Sequence, residues 1–107
     1  MTGKMTLAWE GDQAADATLT LNDDMTKHIN IVFETRSAAP TAAGYGCLYE
    51  IPVAIFKQYF QNTASPLSSY CLSPFDNTYG YVRYVSDTQI YFDFATTARL
   101  RRIWFMD

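Results

Sequence analysis

Long apolar runs are missing from this chain. No stretch approaches the roughly 20 consecutive apolar residues that a membrane-spanning helix needs, so insertion into a membrane by a helix is not expected. The opening residues, MTGKMTLAWEGDQ, hold no apolar h-region of a secretory signal, and the expectation is synthesis in a cytosol. Positive charge is scarce as well: eight Lys and Arg stand against eleven Asp and Glu, for a formal charge of -3. A nucleic-acid partner usually leaves a basic patch or a high pI, and none is expected here. Histidine occurs once and cysteine twice. A zinc centre needs several His, Cys or carboxylate groups converging. Cys47 and Cys71 match no metal or redox spacing, so neither a metal nor a cofactor is expected. Each cysteine has apolar or aromatic neighbours, and the pair reads as two buried free thiols rather than a disulfide.

Aromatics are what the chain has in quantity: eight Tyr, seven Phe and two Trp in 107 residues. Aromatic and β-branched side chains favour strands, and the length suits one domain, 1–107, with a single modest core. Strand signals dominate. MTLAWE (Met5 to Glu10) precedes a Gly11-Asp12 turn signal. ATLTL (Ala17 to Leu21) alternates, with Leu19 and Leu21 on one face and Thr18 and Thr20 on the other. HINIVFETR places Ile29, Ile31 and Phe33 inward and His28, Asn30, Val32, Glu34 and Arg36 outward. Ser37 to Gly46 is a small-residue loop. CLYEIP is a strand ended by Pro52, and Phe56, Tyr59 and Phe60 recur at helical spacing after it, so a short helix is expected near 53–60. SSYCL (Ser68 to Leu72) is a strand closed by the loop Ser73 to Asn77. YGYVRYV and TQIYFDF form a hairpin joined at Ser86-Asp87, with Ile90, Phe92 and Phe94 inward. The last strand runs from Ala98 to Met106. About eight short strands with turn signals every 8 to 12 residues predict an all-β fold, a small antiparallel β-sandwich.

Chemistry is hard to find. His28 reads as a surface residue on the outer face of a strand. Asn22-Asp23-Asp24 and the pair Asp12 and Asp16 lack the spacing of a calcium loop and read as turn formers. Gly44 and Gly46 lack the Lys-Ser/Thr that follows in a phosphate-cradling loop. No catalytic residue is assigned and an enzyme is not expected; a small glycan-acting enzyme would need convergent carboxylates, or a thiol beside His28. What remains is contact surface, because tyrosine in loops supplies rigid amphipathic area at low entropic cost. The expected receptor-contact residues are Tyr45, Tyr70, Phe75, Asp76, Asn77 and Tyr79.

The closing segment ALRRIWFM poses a separate problem. Strict alternation puts Leu100, Arg102, Trp104 and Met106 on one face, and Arg99, Arg101, Ile103 and Phe105 on the other, so neither face is wet. Either a bulge at Arg101-Arg102 resets the phase, or both faces are covered by a second copy. Arginine suits such an interface, and Arg101, Arg102, Trp104 and Phe105 are the expected oligomer contacts.

Three phrases, in order, carry a resemblance: TLAWEGDQAADATLTLNDDMTKHINIVFET, then EIPVAIFK, then LRRIWFMD. Together they resemble the small C-terminal domains of phage and prophage tail-fibre proteins over nearly the whole chain. Where many of those domains end in Tyr-Gly-Ile-like residues, this one has Trp104-Phe105-Met106. The resemblance implies a β-sandwich tip on the virion tail, assembled in the host bacterial cytoplasm and usually trimeric, alongside other tail proteins. Such tips touch a bacterial surface glycan or outer-membrane protein. It carries no binding residue over. The alternative expectation is a structural virion assembly or decoration protein that binds another virion protein.

Overall fold

The computed structural model describes residues 4–37, 46–61, 69–75, 78–96 and 98–107, excepting the side chains of Ser37, Pro74, Phe75, Phe94 and Thr96. Within them the strands are β1 (Met5–Gln13), β2 (Ala17–Thr20), β3 (Asn30–Ser37), β4 (Gly46–Pro52), β5 (Tyr70–Phe75), β6 (Thr78–Ser86), β7 (Gln89–Thr96) and β8 (Ala98–Met106). One helix, α1 (Val53–Tyr59), follows β4, and a turn of 3-10 helix, Met25–Lys27, separates β2 from β3. Two antiparallel four-stranded sheets result, in the orders β1-β8-β3-β4 and β2-β7-β6-β5. The chain is therefore all-β, a two-sheet sandwich.

Alternating apolar residues build the shared core. Ile31 and Phe33 of β3 meet Ile103 and Phe105 of β8 across the ladder, and all four are fully or almost fully buried. Opposite them, Leu72, Val82, Ile90 and Phe92 come from the second sheet, each with no exposed surface. Helix α1 plugs one end by burying Phe56, whose ring lies 5.5 Å from that of Phe33. Tyr49 ties the sheets together where β4 approaches β5: its hydroxyl donates to the Ser73 carbonyl at 2.7 Å and accepts from the Ser73 N–H at 3.2 Å.

The last strand resolves its own puzzle by a bulge. Glu34 pairs with Arg102 and the next residue, Thr35, pairs with Leu100, so Arg101 is the extra residue on β8. Two consecutive residues then face outward, and the phase is reset: Ala98, Leu100, Ile103 and Phe105 are buried while Arg99, Arg101, Arg102 and Trp104 are not. A second copy is not needed to cover both faces, because the bulge gathers the apolar residues on the inner face and leaves the arginines on the outer one. Phe105, expected at an oligomer contact, is 1% exposed inside a single chain.

Other expectations differ from the structure as well. Gly11-Asp12 is no turn: β1 continues to Gln13 and absorbs the extra length in register shifts after Leu7 and Glu10. A Cβ at position 11 would stand 2.6 Å from Cζ2 of the Trp9 ring, so a larger residue there would have to displace that ring. Strand β3 begins at Asn30, leaving Ile29 63% exposed instead of inward. Val32 does point outward yet is buried, beside Trp104 in the register. Strand β5 runs on to Phe75 where a loop was expected. Both cysteines are free, but Cys71 is exposed and Cys47 half-buried, not a buried pair.

Candidate functional site

The outward face of the first sheet carries an ordered set of charges. Residues alternate along β8, so Arg99 and Arg102 lie outward, and the bulge adds Arg101 to the same side. In one row, Arg102 lies between two carboxylates supplied by its strand neighbours. Its Nε donates to Glu10 Oε2 at 2.9 Å and its Nη1 to Glu34 Oε2 at 2.6 Å. Trp104 Nε1 donates to the other Glu34 oxygen at 3.1 Å. Charge-assisted bonds of this kind are the strong ones. The two acceptors hold the Arg102 guanidinium above even its usual high range, Glu10 contributing most.

In the next row, one carboxylate faces two guanidinium groups. Asp12 Oδ2 accepts from Arg99 Nη1 at 2.6 Å, and Asp12 Oδ1 lies 3.9 Å from Arg101 Nη1. Arg36 of β3 stands directly opposite Arg99. On its other side, Arg36 pairs with Gly46 of β4.

The second sheet displays aromatics. Tyr79 is 38% exposed. Tyr81 and Tyr91 flank buried neighbours and face outward with it. The Arg83 guanidinium lies 4.4 Å from the Tyr91 ring centroid, within cation–π range, and 3.8 Å from Asp93.

The expected contact residues do not form one cluster. Tyr70 and Tyr79 lie on opposite faces of the second sheet. Tyr70 opens β5 and turns inward, edge-on to Tyr49 at 6.3 Å and 5.2 Å from Phe60. Tyr79 points out. Phe75 ends β5, its side chain lying outside the described residues, as do Tyr45, Asp76 and Asn77. The outward grid adds Asp12, Arg36 and Arg99 to the expected Arg101, Arg102 and Trp104. Nothing local in the sequence joins them, because Asp12 and Arg99 are 87 residues apart.

His28 is not a free surface residue. Its side chain is only 13% exposed, with Nδ1 2.9 Å from Asp107 Oδ2 and Nε2 3.2 Å from Asp23 Oδ2. Its ring stacks on Phe105 with centroids 4.1 Å apart. Both ring nitrogens face carboxylates, and neither faces a thiol. Among the described residues no group of three or more His, Cys, Asp and Glu side chains is placed to hold a metal ion.

Burial opposes the charged imidazolium, but the bonds to Asp107 and Asp23 outweigh it and raise the His28 pKa above its ordinary value. A raised folded-state pKa stabilises the fold fully below the unfolded value, about 6.5. That contribution is lost as pH climbs through the folded value. Asp107, held down mainly by His28, acts in the opposite sense and loses its share only in acid. Thermal melts of the wild type should therefore fall from about pH 6 to about pH 8, the range in which an imidazole titrates, and His28→Gln should flatten that slope. An equal slope in the variant would assign the titration to another group.

No protein-family model, no curated protein and no solved structure matches this chain.

Proposed function

We propose that the chain is a non-enzymatic attachment module, of the kind carried at the tip of a phage or prophage tail fibre, binding a bacterial surface glycan or outer-membrane protein. The observation that supports this most is the pair of outward sheet faces. One is a grid of arginines around Trp104, the other a row of tyrosines beside Arg83. Antiparallel ladders hold these side chains on a fixed backbone, so little ordering entropy is lost on contact. Tyrosine and arginine are also the residue types that concentrate binding energy at interfaces. The reading places the protein on the virion tail as a symmetric oligomer, a trimer by preference, whose weak single contacts are multiplied by avidity.

Two measurements test it. Purified protein of known oligomeric mass should sediment with cells of a susceptible host, and Tyr79→Ala should reduce the bound fraction. A confirmed oligomer that binds no strain at high concentration would remove the proposal. For the interface, Trp104→Ala is the informative variant, and light scattering should show it lighter than the wild type.

One observation favours the structural alternative, a virion assembly or decoration protein. Leu48 is 63% and Met5 39% exposed, on the two edge strands that bound the arginine face. A flat protein partner would bury both. Co-purification with one particle protein, without any cell binding, is the outcome that this alternative requires.

A further inference from the structure

We propose that the free edge of β4 is an interface, on which a second copy of this chain adds its own β4, antiparallel, about a two-fold axis at Leu48. The inference goes beyond the attachment reading, because it concerns a backbone edge and not the two outward faces.

Three observations carry it. First, the two sheets end in four edge strands, β1, β4, β2 and β5. An open edge presents unpaired N–H and C=O groups, and proteins protect it with short strands, bulges, proline or charge. Strand β2 has only four residues. Strand β1 shifts register twice against β8 and carries Glu10 and Asp12. Strand β5 shifts register between Leu72 and Phe75 and contains Pro74. Strand β4 is different: it pairs with β3 over seven consecutive residues without a shift. Its single charge is Glu50, and its proline is its last residue. Among the described residues no strand pairs with its other edge. Second, exposed apolar side chains gather on this part of the chain. Among the described residues seven large ones are exposed, and four of them are Leu48 on β4, Ile55 and Tyr59 on α1 directly after it, and Ile29. The Ile29 carbonyl accepts the Val53 N–H that opens α1. Clustered apolar exposure of this kind marks protein contacts.

Third, β4 is complementary to itself in a register centred on Leu48, which identifies the occupant as a second copy. Directly opposite residues of an antiparallel pair share a face, so two copies of β4 must be centred on a residue. With Leu48 on the axis, each Leu48 faces its counterpart and each Glu50 faces Gly46 of the other copy. Gly46 lies beside Arg36 of β3, and Arg36 beside Arg99 of β8. Each Glu50 carboxylate therefore joins a row of positive charge, across a residue with no side chain. Arg36 is already engaged within its own chain, and the attraction needs opposite sign, not a vacant hydrogen bond. Centring on Tyr49 would set Leu48 against Glu50 and require Pro52, which has no N–H, to pair. Centring on Glu50 would oppose like charges. In the Leu48 register the two β1-β8-β3-β4 sheets run on as one, through an isologous contact of the commonest symmetry.

The axis makes the test specific. Light scattering on the full chain should return an even multiple of the 12.2 kDa of one copy: twice that mass, or six times where a three-fold Trp104 contact forms as well. Leu48→Lys should halve the mass, because lysine blunts an open edge and two ammonium groups would face each other across the axis. Leu48→Glu should do the same. Leu48 is 63% exposed, so neither change should move the urea midpoint of the separated chains. An equimolar mixture of the two variants should recover the wild-type mass, since each introduced ammonium then faces an introduced carboxylate. A damaged fold cannot imitate that recovery. Met5→Lys, on the opposite edge strand β1, should leave the mass unchanged. A wild type of one or three chains at high concentration would overturn the interface. So would Leu48→Lys at the wild-type mass, a mixture that stays light, or halving of the mass by Met5→Lys. A Leu48-dependent dimer that binds no host cell removes the attachment reading alone. Cell binding by a trimer that Trp104→Ala dissolves and Leu48→Lys leaves intact removes this interface alone.

Discussion

Replacing Phe105 by alanine is expected to unfold a large part of the population while leaving the mass of the soluble remainder unchanged. Phe105 is 1% exposed. It faces Ile31 on β3 and Thr6 on β1, and one face of its ring is covered by the stacked His28 ring. Truncating a buried phenylalanine costs about 3–5 kcal/mol, because the transfer energy is lost and the cavity collapses only partly. Total stability for a domain of this size is of order 5–15 kcal/mol, so this one change removes a large fraction of it. The His28 ring also loses the surface it lies on, and with it the geometry of its bonds to Asp23 and Asp107. Urea denaturation should show a much lower midpoint with an unchanged slope. Trp104→Ala is the contrast. It lies one position away on the other face, half-buried, and its truncation should cost far less stability. If the two variants lost equal stability, the inward and outward assignment of β8 would be wrong.

That assignment also marks how far the sequence could be read. The outline of the sheet was legible: β8 begins and ends at the expected Ala98 and Met106, and the hairpin of β6 and β7 turns at Asp87-Thr88, one residue beyond the expected Ser86-Asp87. Both follow from local alternation, which depends only on the two-residue period of a strand. The helix after Pro52 was legible from the spacing of Phe56, Tyr59 and Phe60, of which Phe56 is buried, Tyr59 is 67% exposed and Phe60 follows the last helical residue. The errors fall where the period slips. Alternation in ALRRIWFM left two options open, a bulge at Arg101-Arg102 or cover by a second copy, and only the register, with Arg101 unpaired on β3, selects the bulge. Gly11-Asp12 reads as a turn until the β1 register is known. Tyr81 and Tyr91 stand on the two hairpin strands expected of them, whereas Tyr70, expected as a receptor contact, turns inward against Tyr49 and Phe60. Least legible was the charge grid. Arg102 and Glu10 are 92 residues apart, and only the β1–β8–β3 order brings them together. Pairing of that range is a property of topology, not of any window in the sequence.

Gly80→Val should produce the second large loss of stability, and should carry the outward tyrosines with it. Gly80 lies in β6 between Tyr79 and Tyr81, facing the core. A Cβ there would stand 2.8 Å from Cε1 and 3.0 Å from Cζ of Phe92, and 3.6 Å from Cβ of Ala98. Two effects compete. Glycine inside a strand costs roughly 0.5–1 kcal/mol relative to alanine through backbone entropy, and valine favours strands further. Against this, overpacking a filled core costs about 1–3 kcal/mol, occasionally more. The steric term wins here because Phe92 has no exposed surface, and the contacted atoms belong to a rigid ring that cannot retreat to solvent. Ala98, itself small, closes the other side. A shorter partner should relieve the clash, so Gly80→Val combined with Phe92→Leu should be more stable than the sum of the two single changes predicts. Residues in contact typically couple by about 0.5–3 kcal/mol. The same cycle bears on recognition. Because Tyr79 and Tyr81 straddle Gly80, the attachment proposal requires cell binding to fall in Gly80→Val and to return in the double variant in step with its stability. Binding that stays lost after the fold is restored would mean that the phenyl ring of Phe92, beneath the outer face, sets the positions of the tyrosines above it.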